Sequence, residues 1–361
     1  MVINSVLNII VLTTFLISIL VTFFLVPYIK KFAIKNNLFD YPDLRKQRSS
    51  NIVRLGGLSF IICLFLSLIL FFLLLKFNDI YFTFTKNILV LIICSILYFT
   101  VGFIDDLRNL KPWPKLFLQF IFGSILWTQG IKIQVISLPL FINGEIALPN
   151  ILSLIFTICW FAAITNSINW LDGLDGLAVG VSGICFIPIT ILNFQNGNYD
   201  IAITSLIIFG SCLGFLRYNY NPSEILMGDG GSYFLGINLA SMSIFASSSL
   251  VINQSSYILN TDIFCALMII ALPFFDLLRV ISTRVINGLS PFFPDRNHLH
   301  HKLVDSGIKE ELAVNILYLI AILTSSIVLI YRGMPLILII SIFTMVLMIY
   351  TFIVKGKVYT S

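Results

Sequence analysis

Residues 57–75 read GLSFIICLFLSLILFFLLL, an uninterrupted stretch without a single charge, closed by Lys76 at one end and preceded by Arg54 at the other. A helix rises 1.5 Å per residue, so a run of this length matches the ~30 Å of hydrocarbon in a bilayer. No face of it is polar, which excludes a surface helix of a water-soluble domain, where charged residues return every three or four positions. Comparable apolar runs recur outward in both directions: Leu7–Val26, Ile88–Ile104, Leu116–Gln129, Ile151–Ser167, Leu177–Leu192, Ile201–Leu216, Tyr233–Val251, Ile263–Ile281, Leu312–Tyr331 and Met334–Val354. Of the 361 residues, 58% are hydrophobic and 11% charged, too little polar surface to face water. The chain therefore reads as an all-α polytopic integral membrane protein with about eleven transmembrane helices, one membrane-embedded domain over residues 1–361.

Orientation follows from the basic residues. With the loop after the first run placed in the cytoplasm, 18 of the 22 Lys and Arg residues fall on cytoplasmic loops or the C-terminus, leaving Lys76, Lys86, Lys132 and Arg332 outside. This predicts a multi-pass protein of the plasma membrane, with its N-terminus outside and its C-terminus inside. The first run has its basic cluster after it rather than before it, the reverse of a secretory signal, and is expected to be a retained span. Of the 17 acids, 13 share the cytoplasmic side, although insertion does not sort acids, so their concentration needs another cause. On the outer face, Ile131–Pro149 carries strand-like segments around Asn143-Gly144 and predicts a small β-hairpin turning at that pair. The 33 Phe residues and the six singly placed cysteines read as apolar filling, with no disulfide or metal spacing.

The chemistry lies in the cytoplasmic loops, about residues 28–56, 105–115, 166–176, 217–232 and 282–311. All three histidines, His298, His300 and His301, fall within four residues beside Arg296 and Lys302, suited to a cationic or hydrogen-bonding grip on phosphate oxygens. Their spacing is too tight for easy zinc ligation. The pair Asp105-Asp106 ends the third run, where adjacent carboxylates repel unless a cation or proton is shared. A third stretch, Thr165–Gly176, holds Asn169, Asp172 and Asp175, whose two acids would share a face if helical. A fourth, Met227–Ser232, sets Asp229 in a glycine frame through which amides can approach an anion. Each is weak alone. On one membrane face they describe a site for Mg²⁺ and a diphosphate, the metal bridging phosphate to carboxylate while His and Arg neutralise the remaining oxygens.

These four stretches, in this order at these span ends, resemble the polyprenyl-phosphate N-acetylhexosamine-1-phosphate transferase family, glycosyltransferase family 4 in type. The likeness runs from Arg54-Leu55-Gly56-Gly57 to His301. The run Asn169–Leu177 and the run Pro294–His301 are similar to those of the branch that initiates O-antigen, enterobacterial common antigen and teichoic acid synthesis, typified by undecaprenyl-phosphate GlcNAc-1-phosphate transferases. The branch that loads MurNAc-pentapeptide usually carries a different histidine run. Arg48, Asn51 and Val53 depart from relatives, which often show His and Pro there. The resemblance implies transfer of N-acetylhexosamine-1-phosphate, GlcNAc-1-phosphate foremost, from a UDP-sugar to polyprenyl phosphate with release of UMP. It implies Mg²⁺, or Mn²⁺ in its place, on Asn169 and Asp229, and Asp105-Asp106 as base toward the lipid phosphate or as nucleophile. It further implies Asp172 and Asp175 in the nucleotide and metal site, Lys115 on phosphate, and Arg296, His298, His300 and His301 gripping the diphosphate. The implied partners are a UDP-N-acetylhexosamine, the polyprenyl phosphate lipid, the membrane and a second copy of the chain in a homodimer, with no nucleic acid. An ion-coupled transporter is the competing class, but its ionisable groups belong at mid-membrane, where these runs are nearly free of charge.

Overall fold

The computed structural model describes residues 2–36, 38–40, 52–138, 142–253, 256–293 and 295–355. Arg48, Asn51 and Pro294 lie outside the described residues. The chain forms helices α1 (Val2–Lys35), α2 (Leu58–Phe77), α3 (Lys86–Arg108), α4 (Pro112–Thr128), α5 (Asn150–Leu171), α6 (Leu177–Gln195), α7 (Tyr199–Asn219) and α8 (Gly228–Ser247). There follow α9 (Ile263–Ile269), α10 (Ala271–Ile286), the short α11 (Leu299–Asp305), α12 (Glu310–Tyr331) and α13 (Leu336–Lys355).

Among the described residues, seven helices are long and apolar enough to cross a membrane: α1 from Val6, α2, α3, α5, α6, α7 and α12. The α9–α10 pair adds an eighth if its two parts count as one span. Together with the exposed Leu, Ile and Phe side chains along α1, α2, α12 and α13, this is a mostly helical, multi-pass membrane protein; water would not tolerate so much exposed apolar surface.

Each predicted run falls mainly on helix, but four are not among the seven: α4, with 17 residues, and the apolar part of α13, Leu336–Thr351, are short for a span, while α9–α10 and α8 depart in shape and composition. The run Ile263–Ile281 is not one straight helix: α9 and α10 meet at 88° around Ile270. The run Tyr233–Val251 stops being helical at Ser247, and Ser248 begins a strand. Finally α8 is rich in Gly and Ser, and all of its residues except Asp229 are buried. A helix shielded from lipid on every side need not be apolar, so length and hydropathy undercount it. The run Leu116–Gln129 belongs to a helix that starts earlier, at Pro112, where proline suits the first helical turn.

The core is the trio α3, α5 and α8, with α6 and α7 beside it; 89% of the apolar window of α6 and of α7 is buried, against 33% for α1. Small residues bring the backbones close, as membrane bundles require. A Cβ at Gly102 of α3 would overlap the Asp229 carbonyl of α8, and one at Gly236 of α8 would lie 2.6 Å from Thr165 Cα of α5.

Near the start of the chain β1 (Phe39–Asp40) and β2 (Ile52–Val53) pair antiparallel; at the far end, β3 (Val135–Leu138) and β4 (Ile142–Ala147) pair antiparallel, with Asn143-Gly144 inside β4 rather than at its turn. They extend into a four-stranded sheet, ordered β4-β3-β6-β5, through parallel pairing of β3 with β6 (Ser256–Asp262), itself antiparallel to β5 (Ser248–Asn253). The antiparallel β3–β4 pair is thus two strands of a larger sheet completed by β5 and β6.

Candidate active site

The ends of α3, α5 and α10, the starts of α4 and α8, and two loops meet at the opposite end of the bundle. Residues 53–57 run alongside 225–227: Val53 bridges Ile225, and the Gly56 and Gly57 amides donate to the Leu226 and Met227 carbonyls at 2.9 and 2.8 Å. This path delivers Arg54 between two carboxylates, Nη1 lying 3.7 Å from Asp106 Oδ1 and Nη2 3.9 Å from Asp229 Oδ1. Gly228 has φ +72°, and a Cβ there would come within 2.5 Å of both Arg54 O and Asp106 Oδ2, so the turn into α8 requires glycine.

Because α3 and α8 touch at Gly102, the end of α3 faces the start of α8. Asp106 accepts the Asp229 amide at 2.9 Å and the Gly230 amide at 3.0 Å, one on each carboxylate oxygen, and so caps the positive end of α8. Asp105 accepts the Leu110 amide at 2.7 Å and Lys115 Nζ at 2.5 Å. The side chains of Asp105 and Asp106 are each 6% exposed, whereas Asp229 is 22% exposed and is the open carboxylate of the three.

Beside this cluster lies a cavity of about 340 Å³, lined by Lys115, Asn166, Asn169, Trp170, Tyr233, Arg284, Asp295, His298 and His301, with Pro112, Leu116, Phe292 and Phe293 as its apolar wall. Cluster and cavity share the first turn of α8: Asn169 Nδ2 donates to Ser232 Oγ at 3.0 Å, and that hydroxyl donates to the Asp229 carbonyl at 3.0 Å. Arg284, 3% exposed, grips Asp295 with two parallel hydrogen bonds of 2.8 and 3.1 Å and lies over the Trp170 ring at 4.7 Å. Arg284 holds the Asp295 carboxyl well below the usual carboxylate range, and the pair fastens the histidine loop to the end of α10.

The histidines divide. His298 lines the cavity with Nδ1 2.8 Å from Asp276 Oδ2, and His301 lines it too. His300 lies behind them, fully buried against Gly173, with no hydrogen-bond partner on either ring nitrogen. Burial first, then the neighbouring His301 and His298, push its pKa down to about 3, so it is a neutral ring at physiological pH. Burial likewise lowers His301.

Of the residues singled out in the sequence, Lys115, Asn169, His298 and His301 converge on the cavity, and Asp105, Asp106 and Asp229 form the adjoining cluster. Others stand apart from the cavity. Residues 172–176 form turns rather than helix, so Asp172 and Asp175 share no helical face; Asp172 closes α5, its amide bonded to the Asn169 carbonyl, and Asp175 Oδ2 accepts the Ser223 amide at 2.9 Å. Arg296 pairs with Asp305 at 2.9 Å and is 42% exposed. Sequence reasoning gave no role to Arg54, Asn166, Trp170, Tyr233, Arg284, Asp295 or Asp276. The signal for Asp276 and Arg284 was available, namely charges in or beside an apolar run, which are costly unless used.

Among the described residues no three His, Cys, Asp or Glu side chains are gathered as a metal cage. A structural zinc site is a closed set of protein ligands. Mg²⁺ is different, since it is held by one or two carboxylates while keeping water and substrate phosphates. An open Asp229 beside Asp105 and Asp106, three acids against Arg54 and Lys115, fits a hard cation of that kind.

Comparison with known proteins identifies the family. The profile of Glycosyl transferase family 4 matches residues 88–247, from the start of α3 to the end of α8. A Bacillus subtilis (strain 168) protein named "Probable undecaprenyl-phosphate N-acetylglucosaminyl 1-phosphate transferase" is 30% identical over 319 residues, covering 87% of this chain and 83% of that one. The chain belongs to glycosyl transferase family 4. The family 4 chain is also similar to the decaprenyl-phosphate N-acetylglucosaminephosphotransferase of Mycolicibacterium smegmatis, 30% identical with 83% and 77% of the two chains covered. A phospho-N-acetylmuramoyl-pentapeptide-transferase of Staphylococcus saprophyticus is 28% identical over 86% of this chain and 95% of its own. Membership makes the chain a membrane-embedded transferase and removes the transporter reading.

Proposed function

We propose that the protein transfers N-acetylhexosamine-1-phosphate, GlcNAc-1-phosphate foremost, from a UDP-sugar to a polyprenyl phosphate and releases UMP at the cytoplasmic face. The reading is carried by one observation: a cavity lined by Lys115, Asn169, Arg284, His298 and His301 opens beside a carboxylate cluster at a single end of the bundle. Cationic and amide donors suit a diphosphate, and the aromatic wall of Trp170, Phe292 and Phe293 suits the apolar parts of the two substrates. The N-acetylglucosaminyl names of the Bacillus and Mycolicibacterium relatives support this donor over MurNAc-pentapeptide.

In the proposed reaction a lipid phosphate oxygen attacks the β-phosphorus of the UDP-sugar, the bond from that phosphorus to the bridging oxygen breaks, and UMP leaves with the electron pair. Mg²⁺, held by Asp229 and the Asn169 amide oxygen, would neutralise diphosphate charge. Lys115 and His301 donate to non-bridging oxygens, and His298 stands in the same wall. Both oxygens of Asp105 and both of Asp106 already accept hydrogen bonds, which favours direct attack by the lipid phosphate over a covalent enzyme intermediate. Asp105 holds Lys115 in the cavity wall and Asp106 holds the start of α8, so both govern where the donor sits. The decisive assay measures UMP release by purified protein from a panel of UDP-sugars, UDP-MurNAc-pentapeptide included, with polyprenyl phosphate and Mg²⁺. Release with UDP-GlcNAc carries the proposal; release only with the pentapeptide donor, or with none, overturns it.

A further inference from the structure

The transfer reading gives no work to Asp276, yet its surroundings are built with unusual completeness. It sits on α10, a helix otherwise apolar up to Arg279, and is 7% exposed. A carboxylate there is costly unless every lone pair is engaged. Its Oδ1 accepts Arg279 Nη2 at 2.8 Å and the Leu299 amide at 2.9 Å, and its Oδ2 faces His298 Nδ1 at 2.8 Å. The same Arg279 nitrogen reaches the Asn297 carbonyl at 2.5 Å, so the residues on both sides of His298 are tied to the carboxylate that meets its ring. That ring is wedged between Trp170, edge-on at 5.6 Å, and His300, stacked at 5.5 Å.

We propose that Asp276 is a positioning residue that accepts the Nδ1 hydrogen of His298 and thereby presents the unprotonated Nε2 to the cavity, as an acceptor for a hydroxyl or amide hydrogen of the UDP-sugar. The inference rests on the transfer reading for its consequence, but not for its geometry. An ionised carboxylate only accepts, so the nitrogen facing it must carry hydrogen, and the cavity is left with Nε2. His298 is thus oriented among three histidines that the sequence cannot rank: His300 is sealed away, and among the described residues no carboxylate hydrogen-bonds the His301 ring. Replacing Asp276 with Asn reverses the arrangement. Arg279 and the Leu299 amide both need an oxygen at Oδ1, so the new amide nitrogen faces Nδ1, which must then accept, and the proton moves to Nε2.

The chain has only three histidines, so nitrogen NMR of detergent-solubilised protein labelled with ¹⁵N-histidine resolves the question. His298→Gln assigns the His298 signals by their loss. Wild-type protein at pH 8.5 should show His298 protonated on Nδ1, and Asp276→Asn should show it protonated on Nε2; a wild-type Nδ1 without hydrogen overturns the proposal. In the turnover assay, Asp276→Asn and His298→Gln should each lower kcat/KM for the UDP-sugar on the order of 100-fold, and the double variant should be no worse than either. Losses that multiply, or an Asp276→Asn enzyme as active as wild type, also overturn it. Should the wild type release no UMP from any UDP-sugar, the transfer reading falls, while the nitrogen spectrum still decides the pairing.

Discussion

Asp106 and Asp229 face each other across the start of α8, and neutralising each should have opposite effects on the fold. Asp106 is 6% exposed and accepts two amide hydrogens, those of Asp229 and Gly230. Asn in its place keeps one oxygen and turns an NH₂ group toward the other amide, so one charge-assisted hydrogen bond is lost and one weakened. Such bonds contribute ~1.5–3 kcal/mol each, and the net loss is about 2–3 kcal/mol. At the low end of the usual conversion, roughly 2 °C per kcal/mol for a long chain, Asp106→Asn should lower the melting temperature by about 4–6 °C. Asp229→Asn relieves a carboxyl crowded against Asp105 and Asp106, its amide can still hydrogen-bond Asp105, and it forfeits a loose 3.9 Å pairing with Arg54. It should melt at or slightly above the wild-type temperature while losing nearly all turnover at any practical Mg²⁺ concentration. Tryptophan fluorescence melts in one detergent without added metal measure both, alongside UMP release. An Asp106→Asn protein as stable as wild type would refute the role of Asp106 as the cap of α8. Near-normal turnover in Asp229→Asn would remove Asp229 from the site.

His300 links stability to acid: the folded state keeps its ring neutral down to about pH 3, whereas the unfolded chain takes up a proton below about pH 6.5. Stability is full above 6.5 and declines as pH falls toward 3, by about 1.4 kcal/mol at pH 5.5; His300→Phe should flatten the dependence of melting temperature on pH over that window, and an unchanged slope refutes the assignment. Lys115→Met should abolish UMP release and Lys115→Arg retain part of it, since Lys115 is held toward the cavity by Asp105; equal activity in both would exclude a charge role. Gly102→Ala drives a methyl into α8 backbone that has no rotamer to yield, which should cost about 1–3 kcal/mol in a thermal melt. Single cysteines at Glu145 and Asn297, in a background without the native six, should label from outside and from the cytoplasm respectively; labelling from one side would overturn the orientation.

The membrane class was legible in runs such as residues 57–75 because burial in lipid is a property of composition, needing no partner. Gathering of the site at one end was also legible, since alternate loops of a multi-pass chain must share a side, and Asp105, Lys115, Asn169, Asp229 and His298 all fall on such loops. What composition cannot express is which residues meet. The helix α8 is polar for a span yet buried at every residue but Asp229, a consequence of Gly102 and Gly236 letting α3 and α5 enclose it. Asn143-Gly144 carries a turn signal, but pairing of β3 with β6, more than a hundred residues away in sequence, belongs to tertiary contact alone. The four-residue histidine stretch named the chemistry without assigning the work. Only the fold decided that Asp276 engages His298, that Gly173 covers His300, and that Arg296 turns outward to Asp305. Local sequence fixes the solvent and face of a residue; the direction of its side chain depends on carboxylates and backbone brought from elsewhere in the chain.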